Sequence, residues 1–146
     1  LPSICSIIVF IFLFWFFIGH MIFALFLGLS QMTNIHSSLD VWFSSEGLTM
    51  LAVGSVIGAL VCLLLFMITV FALPLLLERE VDFVTVMITS FQQVQANFLP
   101  VVLWGVFIAA VLILSMIPAF FGLLITLPVL GHASWHLYSA IRIADA

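Results

Sequence analysis

Lysine is absent from this chain, and Arg79 and Arg142 are its only basic residues among 146. Two guanidinium groups cannot neutralise a row of phosphates, which excludes nucleic-acid binding, and they cannot form a polybasic membrane anchor. Charge of either sign is scarce, at 5% of residues where soluble domains carry roughly a quarter. Cys5 and Cys62 stand far apart in apolar runs without a CxxC spacing, so neither a disulfide framework nor a zinc site is indicated. No glycine-rich phosphate loop, HExxH, paired carboxylates or Ser–His–Asp spacing occurs, and the chain is expected not to be an enzyme. What fills the sequence instead is apolar: 66% of residues are hydrophobic. A soluble domain of this length leaves roughly 30% of its unfolded-chain surface in water, and there are too few polar residues to cover it. The expected solvent is lipid.

The apolar runs predict an all-α, polytopic transmembrane helical bundle of about four spans, over 4–29, 47–77, 98–116 and 119–142, with one amphipathic interfacial helix over 82–96. The polar stretch of Gln31, Thr33, Asn34, His36, Ser37, Ser38 and Asp40 reads as an external loop, with Trp42 and Phe43 at headgroup level. Ser44 or Ser45 caps the second span and Glu46 complements its dipole. Pro74 should bend that span's last turns. Glu78, Arg79, Glu80 and Asp82 form the one charged cluster, read as a solvated helix end with Asp82 capping the next helix. From there Phe83, Val84, Met87, Ile88, Phe91, Val94 and Phe98 form the apolar stripe. The run from Phe98 to Ile143 would be roughly 69 Å as one helix, twice the hydrocarbon thickness, and must fold back near Ser115–Pro118. Pro128 offers a second kink. With four spans, Arg79 and Arg142 share one face, which the positive-inside rule makes cytoplasmic, or the matrix side.

Few residues could carry chemistry. His132 and His136 are four apart on one helix face and could ligate a metal, or pair with His20 across a haem. The simpler reading is that each histidine bonds a neighbouring carbonyl or hydroxyl, as a polar group in lipid must. No metal and no cofactor is expected, beyond lipids bound at the surface. Gly54 and Gly58 form a GxxxG pair, and with Gly105, Ala109 and Gly19 they offer flat faces for helix packing.

Two stretches, LPLLLEREVDFVTVM over 73–87 and LPVLGHASWHLY over 127–138, are distinctive. They resemble the signatures of a bacterial, mainly proteobacterial, integral-membrane family catalogued as domain of unknown function 2189. The resemblance runs from about Trp42 onward. It implies a membrane protein with additional spans before this region, and it carries no catalytic role for any residue. Some relatives bear respiratory-oxidase names.

Together these readings lead to one expectation: a single transmembrane domain over 1–146, the later part of a longer chain. It would sit in the bacterial inner membrane, or the mitochondrial one, as a non-catalytic accessory or structural subunit of a larger assembly, such as a respiratory or energy-converting complex. Its partners would be other integral membrane proteins and lipid. Two alternatives stay open, a small-solute permease or channel lined by His20, His132, His136 and Ser139, and a haem- or metal-bearing electron carrier.

Overall fold

The computed structural model describes residues 2–28 and 40–144. The polar residues from Gln31 to Ser38 and the side chain of Arg142 lie outside the described residues. The helices are α1 (Pro2–Leu27), α2 (Asp40–Phe43), α3 (Ser45–Thr69), α4 (Ala72–Glu78), α5 (Phe83–Ala96), α6 (Phe98–Met116) and α7 (Leu123–Ala144), with no strand among the described residues. A helical membrane bundle is what the composition predicts. Three helical segments are long and apolar enough to cross a bilayer: α1, the stretch Ser45–Glu78, and α6. The fourth expected span, 119–142, forms a helix of sufficient length, but His132, Ser134, His136, Tyr138 and Ser139 hold its hydropathy below that of the other three. The chain divides into two compact units, residues 1–65 and 66–146, the boundary falling inside α3.

In the first unit, the short α2 replaces the end of the expected loop and leads into α3 through a tight joint. The Ser44 hydroxyl accepts from the Gly47 amide at 3.0 Å, as the capping reading predicts. A side chain at Gly47 would overlap the carbonyls of Val41 and Trp42, so the joint closes only on glycine. Helix α1 buries little of itself: Ile4 is its one fully buried residue, while its phenylalanines stand outward.

In the second unit, α3 does not run smoothly into α4. Val70 and Phe71 form a turn, where the ring of Pro74 would clash with the carbonyl four residues back and offers no amide of its own. An unbroken helix would have the Phe71 amide donate to the Met67 carbonyl. Here the Ser90 hydroxyl of α5 stands between them, accepting from Phe71 N–H at 3.1 Å and donating to Met67 O at 2.8 Å. A side chain inserted into a helical ladder is a recognised cause of a sharp break. The bend expected in the last turns is thus a discrete break that a third helix completes.

Asp82 caps α5, its carboxylate accepting from the Val84 and Thr85 amides at 3.2 and 3.3 Å. The buried face of α5 differs from the expected stripe. Val86, Ser90 and Val94 are buried, while Val84 and Ile88 are about half exposed. The reason is Ser90: the helix turns toward the break the one hydroxyl that satisfies it, and the larger apolar side chains of Val84 and Ile88 face outward.

Helix α6 begins at Phe98 with Pro100 in its first turn, and it ends at Met116, where Pro118 was expected to stop it. The Trp104 indole N–H donates to Ser134 Oγ at 3.3 Å, so α6 and α7 lie side by side and antiparallel about a turn near Ala119. Gly122 closes that turn against the backbone of Ser115, where a Cβ would sit 2.6 Å from the carbonyl oxygen. Pro128 is accommodated inside α7 without ending it.

Candidate functional site

The helix faces predicted for packing divide into used and open ones. Gly58 receives the indole of Trp15, whose Nε1 lies 3.4 Å from where a Cβ would be, and Gly105 receives the ring of Phe66. Gly19 and Gly54 meet nothing within 4 Å, and Ala109 is exposed. In α1, Trp15, Gly19 and Ile22 recur at helical spacing, and in α3 so do Leu51, Gly54, Ser55 and Gly58. The two stripes border a groove of about 380 Å³. Phe23 and Trp42 close one end, their ring centroids 6.1 Å apart. The walls are almost wholly apolar. The volume lies in the range of small-molecule sites, roughly 300–1,000 Å³, but the convergent polar groups that orient a small ligand are sparse. Trp15 and Ser55 were not singled out from the sequence, and Trp42, read as a headgroup-level aromatic, instead lines the groove. Trp15 and Gly19 share a face by their four-residue spacing, as do Gly54 and Gly58, and that was the available signal.

The histidines do not converge on one centre. In α1 the His20 Nδ1–H donates to the Phe16 carbonyl at 2.9 Å, and its ring packs on Phe16 with centroids 4.3 Å apart. His20 is thereby committed to its own helix. His132 and His136 stand edge to face on α7, centroids 5.1 Å apart, both exposed. Among the described residues no three His, Cys, Asp or Glu side chains come together as a metal site would need. Ser139 donates to the Trp135 carbonyl of its own helix at 3.0 Å. Cys5 and Cys62 are free and exposed.

The charged cluster is tied to α7. The Tyr138 hydroxyl donates to Glu78 Oε2 at 2.5 Å, a charge-assisted bond, and Tyr138 also packs its ring near Phe71, centroids 6.4 Å apart. The Tyr138 bond to Glu78 spans a sequence separation no local pattern reveals.

A family model described as predicted integral membrane protein (DUF2189) matches residues 1–78. The chain belongs to that family. The match covers α1 through α4, so it begins earlier than the expected Trp42 and takes in the first distinctive stretch only as far as Glu78. The stretch over 127–138 lies beyond it. No curated protein and no solved structure matches the chain.

Proposed function

We propose that this chain is a non-catalytic subunit of a larger membrane assembly, in which the groove between α1 and α3 receives a helix of another integral membrane protein. The observation that carries the reading is the open small-residue face formed by Gly19, Gly54 and Ser55. Apolar surface alone does not drive helices together in lipid; close backbone approach over small residues does. A helix is about 10–12 Å across, so a partner would lie along the groove and lower a ridge of side chains into it. An energy-converting complex of the inner membrane is the assembly to search first. In this reading α7 is a fourth membrane-embedded segment alongside α6, and Arg79 and Arg142 share the cytoplasmic side. The Tyr138–Glu78 bond supports their sharing a face, because it brings the α7 segment that ends at Arg142 to the residue preceding Arg79.

Native purification in mild detergent, followed by cross-linking and mass spectrometry, tests the proposal. A Cβ at Gly54 would meet nothing within 4 Å inside the chain, and a Gly54→Leu side chain extends from there into the groove, so the substitution should leave the helices formed and abolish co-purification of the partner. Recovery of the unsubstituted protein as a free monomer, or equal partner capture by Gly54→Leu, would sink it. An absorption spectrum of the recovered complex, with and without this subunit, separates a structural role from a redox one.

A further inference from the structure

The turn between α6 and α7 carries no polar side chain. From Met116 to Ile125 every residue is apolar or glycine. No Asp, Glu, Lys or Arg occurs between Asp82 and Arg142. A turn that emerges into water recruits Asn, Asp, Ser and Gly, which bond to it or tolerate its geometry. This one places Ala119 at φ 48° and Phe120 at φ 67°, where Asn or Gly is normally favoured. Its side chains point outward: Ile117 is 75% exposed, Phe121 72% and Leu124 73%.

The backbone accounting points the same way. The amides of Ile117, Ala119, Phe120 and Phe121 donate to carbonyls of Leu114, Ile117, Met116 and Pro118, and those of Leu123, Leu124 and Ile125 to Phe120, Phe121 and Gly122. Pro118 has no amide to satisfy. The Ser115 and Thr126 hydroxyls flanking the turn donate to Val111 and Gly122 carbonyls at 2.6 and 3.1 Å. Only the Gly122 amide has no acceptor among the described residues. Pairing seven of the turn's eight amides within the chain is what hydrocarbon asks of donors that water would otherwise satisfy.

Length decides where the turn sits. Helix α6 has 19 residues, which at 1.5 Å each reach about 28 Å, close to the ~30 Å hydrocarbon core and with nothing to spare, so a turn at its end comes no further than the far edge of that core. At the other end of the hairpin, Tyr138 is bonded to Glu78 beside the charged cluster. We propose that α6 and α7 form a membrane-buried hairpin that enters and leaves by the Arg79 face, its turn ending among the acyl chains of the far leaflet without reaching water. The third and fourth spans are then joined inside the bilayer, and the opposite aqueous face has no loop from this half of the chain.

Single cysteines in a Cys5→Ala, Cys62→Ala background test this in the full-length protein in vesicles. Phe121→Cys and Ala119→Cys should resist a membrane-impermeant maleimide added from either side and react fully once detergent is added, while Thr85→Cys on α5 reacts from one side. Ala119→Cys changes the side chain by a single atom and guards against a folding artefact at Phe121. A nitroxide at either site should be relaxed by oxygen and not by a water-soluble nickel chelate. Labelling of either cysteine from the face opposite Thr85→Cys would overturn the proposal. So would a nitroxide shielded from both reagents, because a protein partner and not acyl chains would then cover the turn.

Discussion

Both halves of this chain are built largely of apolar helices, yet they hold themselves together differently. In residues 1–65 the side-chain bonds of Ser6, His20, Ser44 and Thr49 all close within four residues on the local backbone. In residues 66–146, Ser90 bridges α5 to the α3–α4 break, Trp104 joins α6 to α7, and Tyr138 joins α7 to Glu78. Burial is denser where the bonds cross: Phe71, Ala72, Val86, Ser90, Val94, Val101 and Tyr138 are buried in the second half, against Ile4, Gly47 and Met50 in the described residues of the first. Lipid tails are as apolar as leucine, so hydrophobicity cannot choose between a packed and an open arrangement of helices. A few polar groups and close glycine contacts make that choice. Where they reach across helices the helices close on one another, and where they are spent locally a groove stays open.

That contrast can be broken most severely at Ser90. Ser90→Ala should leave the buried Phe71 amide and Met67 carbonyl without their shared partner, at a cost of about 2–6 kcal/mol from roughly 1–3 for each of the two orphaned groups. Unfolding in mixed micelles titrated with SDS, followed by far-UV circular dichroism, measures it. Gly122→Ala comes next. Its methyl would press on the Ser115 backbone, which cannot swing aside as a side chain would, so a loss of about 2 kcal/mol and a splayed α6–α7 hairpin are expected. Loss of contact between spin labels on the two helices reports the splaying. Tyr138→Phe removes one bond to a carboxylate on an exposed residue, and a loss near 1 kcal/mol is expected by the same titration. Ala119→Gly should stabilise slightly, by roughly 0.5 kcal/mol, as relief of the left-handed backbone outweighs the added freedom of the unfolded chain. In the open half, Gly54→Ala should leave stability within about 0.5 kcal/mol, because a Cβ there meets nothing within 4 Å.

Much of the layout was legible because the bilayer imposes length and the helix imposes spacing. The Asp82 and Ser44 caps, the amphipathic segment from Phe83, and the break before Pro118 each follow from a local rule, and each is found. What local rules could not supply was pairing. Periodicity assigned Val84 and Ile88 to the covered side of α5 because they are large and apolar. A small polar residue, Ser90, took that place, and its reason lies in the hydrogen bonds of a different helix. Gly105 and Gly54 look alike in the sequence, each a glycine in an apolar run. Only the position of Phe66 makes one a filled contact and leaves the other bare.

The serine at the α3–α4 break also sets an order for biosynthesis. The Phe71 amide waits for an acceptor 19 residues further along the chain, so the second crossing cannot settle its final shape as it leaves the ribosome. It must remain unfinished until the following helix has been made and has swung back alongside it. Insertion of the first two segments and completion of their geometry are therefore separate events in time, and a ribosome halted before codon 90 would hold a nascent chain whose bend is still undecided.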